Sequence, residues 1–141
     1  MTKLKTAAKL LFLFGVGGTT YYAIELLWRG YSHISMMILG GICFVLLGLI
    51  NELLPWDMGL LWQSLIGSGV VTILELITGL IVNVYLGLGV WDYSNLPLNF
   101  MGQISVVYTL LWVPLSCVAI VLDDHIRYRF FNEEKPHYTF W

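Results

Sequence analysis

The sequence predicts an all-α, polytopic membrane protein: a bundle of four transmembrane helices with an interfacial loop between the third and the fourth. Of its 141 residues, 58% are hydrophobic and 11% are charged, whereas ordinary soluble domains carry about a quarter charged residues. The apolar residues fall into four blocks, each close to the roughly 20 residues that a helix needs to cross a bilayer. Pro55, Gly87 and Gly89 lie between blocks, where helices end.

The four predicted helices belong to one transmembrane domain, residues 1–125. Their bounds are about 7–28, 34–54, 60–86 and 101–122. Pro114 lies inside the fourth helix, where neighbouring groups can satisfy the carbonyl that a proline leaves free. Residues 126–141 are rich in aromatic side chains, which favour the headgroup region, so they are predicted to form a cytoplasmic or interfacial tail.

Basic residues flank the predicted domain at both ends. They are Lys3, Lys5, Lys9, Arg127, Arg129 and Lys135. Because lysine and arginine are enriched in cytoplasmic segments, the sequence predicts a multi-pass protein of the cell membrane with both termini in the cytoplasm. Arg29, on the opposite side, is the exception to this pattern.

A polar stripe runs along the third predicted helix, with Glu75 at its centre. At about 100° per residue its members fall within one quadrant; they are Ser64, Ser68, Thr72, Glu75, Gly79 and Asn83. A carboxylate facing lipid costs about 2.5–3.5 kcal/mol, so Glu75 must face protein or water. A buried carboxylate that exchanges a proton suits a proton relay or a cation site built from oxygens. The alternative is an interhelical hydrogen bond that only fixes packing.

Two further helices supply residues that could line a site around Glu75. Its predicted neighbours are Arg29, Tyr21, Tyr22, Tyr108 and Trp112. Glu25 and Arg29 are four residues apart, which places both on one helix face. Either they form an ion pair that neutralises two charges near the membrane edge, or Arg29 serves as an anion contact or as a partner that keeps Glu25 ionised.

The segment after the third helix mixes aromatic and polar residues, which is typical of a structured interfacial loop. Its notable members are Trp91, Asp92, Tyr93 and Asn99. Asp92 is expected to cap a turn and Asn99 to cap the fourth helix. Two roles for this loop remain open, a purely structural one and one in lining the mouth of the pocket.

Several function classes find no support in the sequence. There is no basic patch with interleaved aromatic residues, so nucleic acid is not a predicted partner. The spacing of His33, Met36, Met37 and Cys43 repeats no known ligand pattern, and no metal or cofactor is predicted. No phosphate-binding loop or catalytic motif occurs, so the chain is not expected to be an enzyme.

Residues 17–33, the stripe from Glu75 to Asn83 and residues 90–104 resemble the ABC-transporter type IV permease-like family. This is a group of small bacterial membrane proteins with relatives among animal transmembrane proteins. The resemblance covers about residues 10–125, and Trp91-Asp92-Tyr93-Ser94 is its most specific part. It implies a permease-like protein that would need a separate ATPase subunit for any ATP-driven role. It includes Glu25, Arg29, Glu75, Asn83, Asp92 and Asn99.

The function predicted from these patterns is that of a transporter-like or channel-like protein for a small solute or ion. Its site would comprise Glu25, Arg29 and Glu75, with Ser68, Thr72 and Asn83 along the pathway. Four helices enclose little volume, so a homo-oligomer in the lipid bilayer is expected. The main alternative is a non-catalytic assembly or regulatory subunit of a larger membrane complex. A lipid-directed enzyme using Glu75 and His33 is a third interpretation.

Overall fold

The computed structural model describes residues 3–50, 59–133, 136 and 138. This part of the chain is mostly helical, as predicted. The helices and strands are α1 (Lys3–Arg29), α2 (Ile34–Gly48), α3 (Leu60–Gly79), a π-helical continuation of α3 (Leu80–Tyr85), β1 (Asn99–Phe100), β2 (Ile104–Ser105) and α4 (Val106–Phe131).

Three of the helices are long and apolar enough to cross a membrane. They are α1 with 27 residues, α3 with its π-helical continuation, 26 residues, and α4 with 26 residues. The apolar α2 has 15 residues, which span about 22 Å at 1.5 Å per residue. The predicted end of the second helix, at residue 54, lies outside the described residues. The helix count therefore agrees roughly with the four predicted helices.

The bounds of the fourth helix differ from the prediction of 101–122. Its start moves to Val106 because Asn99–Phe100 pairs with Ile104–Ser105 in an antiparallel hairpin. The Ser105 hydroxyl accepts a hydrogen bond from the Tyr108 N–H at 3.2 Å. Ser105 is therefore the N-cap, and the prediction that Asn99 caps this helix was wrong.

The other end of α4 lies at Phe131, well beyond residue 122. The polar residues past residue 122 find partners within the helix, since Asp123 pairs with Arg127 one turn later at 2.8 Å. The helix is continuous through Pro114. The tail that was predicted to begin at residue 126 is thus helical up to Phe131. Similarly, α1 begins at Lys3, because lysine is a good helix former and extends the helix beyond its apolar block.

The apolar core is centred on α2, which packs against all three of the other helices. Its buried side chains Met36, Leu39, Cys43 and Leu47 meet Val71 of α3 and Ile120 of α4. Small residues permit the close approach of α1: a Cβ atom on Gly18 would lie 2.6 Å from the Met37 carbonyl oxygen. The described helices thus pack as a bundle around α2.

The two ends of the bundle are closed by different contacts. The Lys9 Nζ of α1 lies 2.9 Å from the Glu133 Oε2, just after α4. At the opposite end, the Arg29 Nη1 donates to the Val90 carbonyl at 2.8 Å. The start of α1 and the end of α4 therefore lie at the same end of the bundle.

A pair of glycines on α1 tests the importance of this close packing. A Cβ atom on Gly17 would overlap the side chain of Phe44, whereas one on Gly15 meets nothing within 4 Å. We expect Gly17→Ala to lower the free energy of unfolding by about 1–3 kcal/mol through overpacking. Gly15→Ala should be neutral, or stabilising by up to about 1 kcal/mol through helix propensity. Unfolding of both variants in detergent measures the difference, and equal effects would contradict this packing.

Candidate functional site

Glu75 lies on the inward face of α3. Ser64, Ser68 and Gly79 are buried on the same face, while Ile73 and Ile77 are exposed on the other side of the helix. Glu75 is almost fully buried, with 2% of its surface exposed to solvent. The polar stripe that the sequence places on one quadrant thus does face the interior of the bundle.

The carboxylate of Glu75 accepts hydrogen bonds from two neutral donors. The Tyr93 hydroxyl donates to Oε2 at 3.0 Å, and the Trp112 indole N–H donates to Oε1 at 3.4 Å. The charged group that acts on Glu75 electrostatically is another carboxylate, Glu25. Within the described ranges, Glu75 has no ion pair with lysine, arginine or histidine. Among the residues that the structure describes, no cation therefore pairs with this buried acid.

Tyr93 reaches Glu75 from the loop that precedes the hairpin. Its ring stacks on that of Tyr108, with centroids 4.5 Å apart and an interplanar angle of 8°. Burial raises the pKa of the Tyr93 hydroxyl above its ordinary value. The hydroxyl therefore stays protonated at neutral pH and remains a donor to the carboxylate.

An internal cavity of about 160 Å³ lies next to Glu75, between all four helices. Most of its wall is apolar, including Leu39, Leu47 and Val71. Its polar lining residues are Thr20, Tyr21, Cys43, Glu75, Trp112 and Ser116. Among the described lining residues, Glu75 is the one carboxylate. The cavity is thus a hydrophobic chamber with a single acidic group in its wall.

Aromatic rings surround the acidic end of this chamber. Trp112 lies between Tyr21, with centroids 6.1 Å apart, and Tyr108, at 6.4 Å. The structure therefore gathers Tyr21, Tyr108 and Trp112 near Glu75, as the sequence suggested. Tyr22 does not line the cavity. The sequence pattern did not predict Tyr93 as a partner of Glu75. The available signal was its position in a loop segment that mixes aromatic and polar residues.

Arg29 is engaged by Glu25 rather than by Glu75. Its Nε lies 2.6 Å from the Glu25 Oε2, and its guanidinium also sits 4.6 Å from the centroid of the Tyr31 ring. Tyr21 interacts electrostatically with both acids, Glu25 and Glu75. Glu25 does not line the cavity itself. The ion-pair interpretation of Glu25 and Arg29 matches this geometry.

Two residues of the predicted pathway bond α3 to α4. The Ser68 hydroxyl donates to the Thr109 carbonyl at 2.6 Å, and the Thr72 and Thr109 hydroxyls lie 3.1 Å apart. Neither Ser68 nor Thr72 lines the cavity. These hydrogen bonds join α3 to α4 beside the cavity.

Asn83 holds the loop after α3. Its amide donates to the Gln103 Oε1 at 2.8 Å, and its carbonyl accepts the Val90 N–H at 2.6 Å. The Trp91 indole N–H donates to the Gln103 carbonyl at 3.0 Å. Asn83 thus belongs to the loop anchor rather than to the cavity.

Asp92 and Asn99 shape the rest of the loop. The Ser94 N–H donates to the Asp92 carboxylate at 2.8 Å, and this hydrogen bond holds the pKa of Asp92 below its ordinary value. The Asn99 Oδ1 accepts the Gly102 N–H at 3.0 Å. These contacts fit the turn-capping role predicted for Asp92.

A second polar cluster, at the end of the bundle that holds Lys9 and Glu133, was missed. Asp123 and Arg127 of α4 are buried and paired, with exposed fractions of 0% and 3%. Arg127 also lies 3.7 Å from Glu133, which bonds Lys9. The four-residue spacing of Asp123 and Arg127 was the available signal. The sequence analysis instead assigned these residues to the segment that follows the fourth predicted helix.

Comparison with protein families gives a match. A sequence model of the family described as "Putative ABC-transporter type IV" matches residues 8–140. This match reaches from the start of α1 to beyond α4. Comparison with curated proteins gives no match, and comparison with solved structures gives none.

Proposed function

The chain belongs to the ABC-transporter type IV family, and from this premise we propose that it binds a small solute or ion within the membrane and lets it cross. In this proposal α1, α3 and α4 span the cell membrane together with the segment containing α2, and both termini lie in the cytoplasm. Glu75 is the group that binds the ligand or exchanges a proton for it.

The observation that carries the proposal is the position of Glu75 in the wall of an internal cavity. A buried carboxylate is costly when no cation neutralises it. Two neutral donors, Tyr93 and Trp112, satisfy its hydrogen bonds but leave its charge uncompensated. An acid that served packing alone would be replaceable by an amide, so an uncompensated acid facing a cavity favours ligand binding.

The neighbouring residues take supporting roles in the same proposal. Arg29 neutralises Glu25 and ties α1 to the loop, Tyr21 connects Glu25 to the cavity, and Trp112 forms the cavity wall. We assign no chemical reaction to this site. For ATP-driven transport the chain would need a separate ATPase subunit, and a homo-oligomer would enlarge the pathway beyond one small bundle.

Thermal stability tests whether Glu75 senses a ligand. We expect wild type in detergent to change its melting temperature with pH or with at least one member of a panel of inorganic cations, organic cations and anions. Glu75→Gln should abolish that response, whereas Asp92→Asn, which removes an exposed carboxylate of the loop, should keep it. An unchanged response in Glu75→Gln would make this acid a packing residue.

The second candidate function is that of an assembly or regulatory subunit. It is favoured by the small and hydroxyl-bearing contacts between α3 and α4, where Ser68 bonds Thr109 and a Cβ on Gly67 would lie 3.0 Å from the Ser116 Cβ. Such contacts join helices in membranes whatever the protein does. Purification from native membranes separates the two: a stoichiometric partner supports a subunit role, and a stable homo-oligomer alone argues against it.

A further inference from the structure

The cavity beside Glu75 opens sideways, between α1 and α4. Its lining includes the partly exposed Ile24 of α1 and Leu115, Val118 and Leu122 of α4. The backbones of α1 and α4 approach each other at few points. Their side chains meet beyond the opening, where Phe12 lies 6.1 Å from Phe130 between ring centroids. An apolar opening on the side of a transmembrane bundle faces lipid, so hydrophobic molecules reach the cavity from the bilayer.

The size of the cavity limits what it can hold. An apolar cavity of about 150 Å³ binds benzene, and this one measures about 160 Å³. Its acidic end is bordered by Tyr21 and Trp112. Aromatic faces attract organic cations, including quaternary ammonium groups, when these lie within about 6 Å of the ring. The cavity therefore suits a compact hydrophobic body with a positive group at one end.

The charges around Glu75 favour the same ligand class. The titratable groups that interact with it come from α1, α2 and the loop: Tyr21 and Glu25 of α1, Cys43 of α2, and Tyr93 of the loop. None of these four carries a positive charge. The Trp112 indole of α4 is a neutral donor. A ligand's positive charge would therefore compensate a carboxylate that the described residues leave uncompensated.

Other occupants fit less well. A calcium ion requires about six to eight oxygen ligands, whereas the cavity wall is mostly apolar and carries one carboxylate. A neutral lipid chain fills the apolar part but leaves the charge of Glu75 without a partner. Only an organic cation satisfies both the apolar wall and the acid.

We propose that the cavity binds a lipophilic organic cation that enters from the bilayer between α1 and α4 and pairs its positive group with Glu75. This inference rests on the proposed function and names the ligand class for the same site. A proton and the cation compete for the carboxylate. Binding of the cation therefore releases a proton whenever Glu75 is protonated beforehand.

Two probes of equal shape test the charge requirement. Phenyltrimethylammonium and tert-butylbenzene differ by one positive charge, and calorimetry on the protein in lipid nanodiscs, with empty nanodiscs as background, measures the binding of each. We expect wild type to bind the cation at least about tenfold more tightly than the neutral probe. Glu75→Gln should lose this preference, and Asp92→Asn should keep it.

A second variant tests the entrance without altering Glu75. Val118 is exposed at the opening, and Leu110 is equally exposed on α4, each at 64%, but Leu110 does not line the cavity. We expect Val118→Trp to weaken binding of phenyltrimethylammonium by about tenfold by filling the opening, and Leu110→Trp to leave it unchanged. Because both positions face outward, both variants should fold.

The possible results separate this inference from the proposed function. Equal binding of the two probes would overturn the inference and indicate a cavity for neutral hydrophobic molecules. A Glu75-dependent response to an inorganic ion, without binding of phenyltrimethylammonium, would overturn the inference and leave the proposed function standing. If wild type bound no cation and formed a dimer that Val118→Trp dissociates, the inference would be overturned. The opening would then be an interface with a second copy of the chain. If Glu75→Gln kept the preference for the cation, the role of Glu75 would be overturned in both the inference and the proposed function.

Discussion

Arg127→Met is expected to lower the free energy of unfolding by about 3–5 kcal/mol, the usual cost of removing one partner from a buried ion pair. Its Nε bonds the Asp123 carboxylate at 2.8 Å. Asp123 is fully buried, and its carboxylate packs directly on Gly48 of α2. Methionine fills a similar volume but leaves the buried carboxylate of Asp123 without this cation.

The same helix provides a matched control for this prediction. Arg129 is exposed one half-turn away, so Arg129→Met should change stability by no more than about 0.5 kcal/mol. The double variant Asp123→Asn with Arg127→Met removes both charges and should recover part of the loss. Unfolding in detergent measures all three. If Arg127→Met were no less stable than Arg129→Met, the buried pair would not hold this end of the bundle together.

The local part of the site could be predicted from the sequence because helical spacing determines it. The period of α3 places Glu75 on the same face as Ser64 and Ser68, and all three are buried. The four-residue interval brings Glu25 and Arg29 into an ion pair. Both results follow from the 3.6-residue turn alone, before any neighbour is considered.

The loop contact to Glu75 could not be predicted in this way. Tyr93 lies 18 positions from Glu75, and its placement depends on an irregular backbone held by side chains. Leu98 and Met101 adopt φ angles of 54° and 55°, which are uncommon for residues other than glycine. Periodicity says nothing about such a turn. The sequence could therefore indicate a structured loop, but it could not predict that the Tyr93 hydroxyl of this loop contacts Glu75.

The cluster that joins both ends of the chain was hidden for a different reason. Lys9 and Glu133 are 124 positions apart, and nothing local links a lysine near the start of α1 with an acid after α4. The basic residues at either end were assigned to orientation, since lysine and arginine flanking helices usually serve that role. The burial of Lys9 and Arg127, and their pairing with Glu133, depend on the antiparallel return of the bundle.

Glu75→Gln is expected to have the largest effect on function. Glutamine has nearly the same shape. Its amide oxygen can accept the Trp112 N–H, and its NH2 group can donate to the Tyr93 hydroxyl oxygen, so the fold should persist. It cannot ionise, and it therefore neither neutralises a cation nor exchanges a proton for one. Losing one partner of a desolvated charge pair typically costs 2–5 kcal/mol, so ligand-coupled flux should fall by about thirtyfold or more.

Proton movement in reconstituted vesicles tests this role of Glu75 most directly. Proteoliposomes loaded with a pH-sensitive dye would receive sodium, potassium or phenyltrimethylammonium ions on the outside. Wild type and Asp92→Asn should both give a cation-dependent change in internal pH, and Glu75→Gln should match protein-free vesicles. If Glu75→Gln moved protons as fast as wild type in response to the same cation, Glu75 would not be the transport site.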